Sequence, residues 1–288
     1  MAGDILVERM EAADGAAGIV RVLLRHPGRL NAMSRAMWRQ LRSVFEAVQA
    51  DAAARCVLIE GEGDAFCAGG DISEYPGFRF DPAALRDFHE TEVWGGLAAM
   101  LQCDVPIVAC MRGACMGAGV EIASACDVRL AGTHARFGAP IAKLGFPMAP
   151  REAQLVAGAV GDLVARQMLL EAATFGADDM AARGFLNRVV PEEALAAEAL
   201  ASARRIAALG PAAARMNKQT LRALKWPAAH IPLGGGAIKN VASSPGEPAA
   251  STPATASAHP VADPYAYADS PEHREGIAAF LAKRPPVF

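Results

Sequence analysis

Apolar positions recur along this chain with two periods, and the alternation between them predicts the fold class. Short β-branched runs, Ile19 to Leu24, Val57 to Ile59 and Ile107 to Met111, predict strands. Between the first two, Met37, Leu41, Val44, Phe45 and Val48 fall on one face of a helix that Ser34 can cap. A second helix opens with Asp81 as N-cap and Pro82 at its first position, and buries Leu85, Phe88 and Leu97. Asp127 to Leu130 predicts a further strand after a short helix. Asp178 to Arg183 predicts a helix that Gly184 closes in a left-handed cap before the strand Leu186 to Val190. From Pro191 onward the pattern is helical only, and the Ala-rich stretch Ala194 to Leu209 stops at Gly210-Pro211. The class is therefore α/β, with an alternating core over residues 1–190 and a helical region over 191–288.

Within the second region the character changes between Pro227 and Pro264, where seven of the 19 prolines fall beside Gly234-Gly235-Gly236 and many Ala, Ser and Thr. Such a composition predicts an irregular segment. Order is expected to return at Ser270-Pro271, a cap and first-turn pair, with Ile277, Phe280 and Leu281 as an apolar stripe on a last helix.

The bulk numbers narrow the function. With 288 residues and 52% hydrophobic content the chain can bury a large core. A net charge of -3 without long runs of one sign shows no footprint for nucleic acid or an anionic membrane, so an anionic ligand must be met locally. Met1 to Asp14 carries five charges and no continuous apolar stretch, which argues against a signal peptide, and no apolar run is long enough to span a bilayer; a cytoplasmic location is the default expectation. The six cysteines, Cys56, Cys67, Cys103, Cys110, Cys115 and Cys126, form no C-x-x-C pair and have no His at ligand spacing, so they are expected to be small buried hydrophobes with no metal.

Two stretches share a layout in which an apolar strand leads into a small-residue turn that opens a helix. One is Val57 to Ile59 followed by Phe66-Cys67-Ala68-Gly69-Gly70-Asp71; the other is Ile107 to Met111 followed by Gly113-Ala114-Cys115-Met116-Gly117-Ala118-Gly119. Small residues let a ligand approach the backbone, and the first N–H groups of a helix lack internal partners and attract negative charge. Two such turns facing each other would make an oxyanion hole, in which each donor is worth roughly 3 kcal/mol. Taken singly, each could be no more than a tight connection. Neither has the spacing of a phosphate loop or a dinucleotide fingerprint.

In order and spacing, Leu30-Asn31-Ala32-Met33, Ala65 to Ile72, Gly117 to Ala123 with Cys126-Asp127, Phe137-Gly138-Ala139-Pro140, Ala181 to Val190 and Arg274-Glu275-Gly276 with Phe280 and Lys283 resemble the enoyl-CoA hydratase/isomerase (crotonase) superfamily. The resemblance covers nearly the whole chain except 227–264. It implies a spiral of repeated ββα units with a helical C-terminal region, assembled as a homotrimer or dimer of trimers. It implies an acyl-CoA thioester as substrate, with coenzyme A carried by that substrate and no separate cofactor. Gly70 and Ala118 would supply the oxyanion N–H groups, Ala118 standing where the family has glycine, a change a backbone donor tolerates. Glu121 would be the acid/base, although a carboxylate in a first helical turn also simply complements the helix dipole. Substrate-binding positions would be Gly28, Arg29 and Leu30 along the pantetheine and nucleotide path, Ala68, Ile72 and Ile141 in the substrate site, and Phe280 and Lys283 at coenzyme A from the same or a neighbouring subunit.

The pattern breaks at Ile141, which stands where hydratases carry a second glutamate. Hydration needs one group to activate water and another to deliver a proton, and an aliphatic side chain does neither, so a two-glutamate hydratase is not expected. One carboxylate suffices to move a double bond or to assist decarboxylation, so a lyase or isomerase acting through a thioester enolate is the expectation. An acyl-CoA decarboxylase and a binding protein that lost catalysis are the alternatives. The familiar isomerases usually carry their base elsewhere, and the decarboxylases place a tyrosine near where this chain has Met148. Glu152 could stand in as the second carboxylate, but its place at the start of a helix favours an exposed or capping role. Asp71 is expected to stabilise its turn, and His26 to be structural.

Overall fold

A computed structural model describes residues 2–10, 17–225 and 263–288. The Pro/Ala/Ser-rich segment lies outside the described residues apart from Asp263 and Pro264. The three apolar runs form β2 (Ile19–Arg25), β3 (Cys56–Gly61) and β4 (Ile107–Met111), the first two joined by α1 (Arg35–Ala50), whose cap Ser34 accepts from the Met37 N–H. With β1 (Asp4–Arg9), β6 (Val128–Gly132) and β9 (Arg188–Val190) they make one sheet in the order β1-β2-β3-β4-β6-β9, parallel except for the β1–β2 pair. Strand β1 has one fully buried residue in six and charges at both ends, a pattern of an edge that carries little apolar signal.

A parallel sheet covered on both faces reads as continuous apolar runs, which is why β3 and β4 were legible. One face packs on α1 and on α3 (Trp94–Gln102) through Val22, Leu24, Val57, Ile59 and Ala109 against Trp38, Leu41, Phe45 and Leu97. The other face, with Ile19, Leu58, Val108 and Leu130, packs on α8 (Glu192–Ala207). Ala199, Ala203 and Ala207 repeat every fourth residue there, so the helix approaches the strands closely.

Between Asp81 and Gln102 the chain is helical in three pieces: α2 (Pro82–Asp87), a π-helical turn Phe88–Val93, and α3. The second glycine-rich stretch is partly a strand, β5 (Ala114–Met116), which pairs with β7 (Arg136–Gly138) before α4 (Ala118–Ser124) begins. Beyond β7 follow α5 (Pro150–Val160), α6 (Asp162–Leu170), β8 (Thr174–Gly176), α7 (Ala177–Ala182) and α9 (Pro211–Lys225). Gly184 has the expected left-handed φ of 79°.

The last helix, α10 (Pro271–Leu281), is capped by Ser270 as expected, and Ile277 is buried. The predicted stripe does not hold, because Phe280 and Leu281 remain 52% and 44% exposed. Helix α10 presses its backbone onto the 3-10 turn Ile141–Leu144, where a Cβ on Gly276 would strike the Leu144 carbonyl group, and this close approach leaves its last turn hanging over an opening. Among the described residues no helix is long and apolar enough to cross a membrane.

Candidate active site

Three backbone hydrogen bonds register the loop before α1 against the first glycine-rich turn. The Ala68 N–H donates to Leu30 (2.9 Å), Met33 donates to Gly69 (2.8 Å) and Asp71 donates to Met33 (2.8 Å). Donors alternate along such a ladder, so Gly70, between two bonded neighbours, turns its own N–H away from Met33. Asn31, in a left-handed conformation at φ 59°, holds the base of this loop by donating to the carbonyls of Glu62 (2.9 Å) and Ala65 (2.8 Å). His26 is buried and its Nδ1 lies 2.7 Å from the Ala32 carbonyl, a structural role as expected.

The two turns lie side by side. Cys67 donates to Ala114 (2.9 Å) and accepts from Met116 (2.8 Å), and a Cβ on Gly117 would come 3.7 Å from the Gly69 Cα. Gly69 and Gly117 take φ of 119° and 47°, values that favour glycine, and through them the chain leaves the bridged segment and enters α4. Among the described residues, neither the Gly70 nor the Ala118 N–H donates to an acceptor within the protein.

Gly70 and Ala118 both line a cavity of about 420 Å³, as do Glu121, Asp71, Arg29, Ala68 and Ile72. Ile141 forms part of its wall and Phe280 overhangs it. Gly28, Leu30 and Lys283 lie outside the lining of this cavity. Asp71 caps the 3-10 turn Ile72–Gly77, accepting from the Ser73 N–H (3.1 Å) and hydroxyl (2.6 Å), and lies 3.5 Å from Arg29. The first turn thus opens a 3-10 helix rather than an α-helix.

Glu121 stands one turn into α4, its N–H bonded to the Gly117 carbonyl at 3.0 Å. Burial, then the neighbouring Glu152 carboxylate, push its carboxyl up to about 8, against the opposing pull of Arg79. At neutral pH this group is mostly protonated, and a modest change of surroundings moves it either way.

The expectation for Glu152 is corrected. Its side chain is 2% exposed, because it lies in the first turn of α5 facing the π-helical turn, and its Oε1 is 3.0 Å from His89 Nδ1. The other nitrogen of His89, Nε2, is 3.2 Å from Arg79 Nη1, and a guanidinium only donates, so His89 is a neutral ring with its proton on Nδ1. Burial also lowers its basicity. With both nitrogens occupied, His89 has neither a proton to give nor a lone pair to offer in this arrangement. Sequence reasoning missed both residues. His89 and Arg79 lie in no motif, and the only local hint for Arg79 is its place between Phe78 and Phe80.

All six cysteines are buried free thiols. Burial pushes Cys67, within the first turn, up to about 12, so it stays a thiol.

The family model for enoyl-CoA hydratase/isomerase matches residues 14–228. A probable enoyl-CoA hydratase of Mycobacterium bovis is 35% identical over 217 residues, 75% of this chain and 80% of that relative. A solved enoyl-CoA hydratase/carnithine racemase from Magnetospirillum magneticum is 32% identical and superposes with a TM-score of 0.73, over 99% of this chain and 94% of that one. A methylmalonyl-CoA decarboxylase in complex with 2-nitronate-propionyl-CoA shares the fold, with a TM-score of 0.76 at 22% identity over 99% of this chain and 97% of that one.

Proposed function

The chain belongs to the enoyl-CoA hydratase/isomerase family of acyl-CoA enzymes, and from that premise we propose that it works by proton transfer at an enolate held by the N–H groups of Gly70 and Ala118, with Glu121 moving the proton. The observation that carries this reading is the meeting, around one cavity, of two residues whose backbone N–H groups have no acceptor among the described residues and the Glu121 carboxyl, raised to about 8.

A thioester oxygen placed between the two amides gains most as it acquires negative charge, so the interaction is worth more for the enolate than for the ground state. Glu121, ionised, would take the proton from the carbon beside the thioester; protonated, it would return one to that carbon or to a later one. A carboxyl near 8 serves both directions at little cost at neutral pH. Water addition by two glutamates is not part of the proposal, because Ile141 is aliphatic and Glu152 lies behind His89, outside the cavity lining. Arg29, Ala68, Ile72, Ile141 and Phe280 would shape the substrate site; Gly28 and Leu30 would lie along the path of the pantetheine. The reading includes a homotrimer or dimer of trimers, in which Lys283 would reach the coenzyme A of a neighbouring subunit.

The test is turnover of 2-enoyl-, 3-enoyl- and malonyl-type CoA esters by the native protein and by Glu121→Gln. We expect at least one ester of the panel to be turned over through its enolate, and kcat to fall about a hundredfold or more in the variant with KM little changed. Equal turnover by both proteins would remove Glu121 from the chemistry. Fast water addition to a 2-enoyl-CoA would show that a second proton-transfer group exists.

A further inference from the structure

The proposed mechanism leaves one buried charge unused. Arg79 is 1% exposed, yet its side chain reaches the cavity wall. Its guanidinium lies over the rings of Phe146 and Tyr75, at 3.9 and 4.5 Å from their centroids, in the corner these two edge-to-face rings make. Nε donates to His273 Nε2 (3.1 Å), Nη1 to His89 Nε2 (3.2 Å) and Nη2 to the Tyr267 hydroxyl (3.4 Å).

Every one of these acceptors is neutral. Each imidazole spends its own proton on Nδ1, His89 toward Glu152 (3.0 Å) and His273 toward the Ala268 carbonyl (2.8 Å), and so offers Arg79 only a lone pair. Among the described residues no carboxylate oxygen lies within 4.0 Å of the guanidinium. Glu152 senses it only across an imidazole, and Glu121, its acidic neighbour on the cavity wall, is held largely protonated at neutral pH. A desolvated cation without a paired anion is costly, and the three bonds leave one N–H on each terminal nitrogen without a partner among the described residues.

We propose that Arg79 receives a carboxylate borne by the acyl group, so that the substrate is the mono-CoA thioester of a short dicarboxylic acid. The inference rests on the reading of this cavity as an acyl-CoA site. The placement sets the chain length. A Cβ on Gly70 would strike the Tyr75 hydroxyl, and Arg79 covers the face of that same ring, so one aromatic ring separates the amide that would hold the thioester oxygen from the guanidinium. That span fits a few carbons between thioester and carboxylate, and a chain ending there in a methyl group would leave the guanidinium unmatched. Inside a low-dielectric wall a charge-assisted pair is stronger than the same pair in water.

Binding is measured by calorimetry with glutaryl-CoA and with its terminal methyl ester, both saturated and of matched length. We expect the native protein to bind the free acid about tenfold or more tighter. The preference should collapse in Arg79→Met and survive in part in Arg79→Lys. Equal affinity of the native protein for the two esters overturns the inference and leaves the acyl-CoA reading standing, whether or not the variants fold. Binding of neither ester overturns both.

Discussion

At the scale of single residues, the proposed chemistry turns on how Glu121 comes to hold a proton near neutral pH. Burial is the larger cause and Glu152 the second, with Arg79 opposing. Replacing Glu152 by Gln keeps an oxygen that can accept from His89 and removes only the charge. The titration of Glu121, read from the pH profile of kcat/KM, should then move below about 8, without reaching the ordinary carboxyl range, because burial remains. An unmoved profile would mean that Glu152 does not contribute to the raised value of Glu121. The same raised value has a stability sign. The folded state binds this proton more tightly than the unfolded chain does, so the contribution is fully present below the ordinary carboxyl range and is lost as pH rises through about 8. Glu121 was legible in the sequence because it stands at a fixed offset from a small-residue turn. His89 and Arg79 were not, since each is an unremarked polar residue until the fold brings them together, and Glu152 was noticed only as a first-turn residue expected to be exposed or capping.

At the scale of elements, two turns must hold their amides in register, and the backbone leaves no slack between them. A Cβ on Gly119 would meet the Cys67 carbonyl oxygen at 2.5 Å, a backbone atom already accepting from Met116. Gly119→Ala should therefore push α4 away from the first turn, lowering thermal stability by roughly 1–3 kcal/mol and kcat by more than that loss of fold accounts for. Melting curves and initial rates on the same preparation check both; unchanged rates would mean that the turns need not be so close. Elements with a strong local cause were readable: the buried strands β2 to β4, the Ser34, Asp81 and Ser270 caps, and the left-handed Gly184. Strand β1 was missed because an edge strand with charged ends shows little apolar run, and β5 because three residues inside a glycine-rich stretch read as turn. The failed stripe of α10 has a tertiary cause, the seating of Gly276 on Leu144, which no helical period reveals.

For the whole molecule, the spiral brings segments distant in sequence around one cavity: the loop before α1, both glycine-rich turns, the Ile141 turn and the end of α10. The α/β class and this convergence follow from alternation and from the ordered motifs, whereas the surroundings of Arg79 gather Tyr75, His89, Phe146 and His273 from distant segments and had no sequence pattern. The central claim is that Glu121 moves a proton at a carbon whose thioester is held by Gly70 and Ala118. Its most direct test is exchange of the α-hydrogens of a saturated acyl-CoA, glutaryl-CoA, in deuterated water, followed by mass spectrometry, since this isolates proton removal from every later step. Enzyme-dependent exchange should rise with pH through about 8, as the carboxyl ionises, and disappear in Glu121→Gln. Exchange that proceeds unchanged in the variant, or none in a native protein saturated with the thioester, would contradict it.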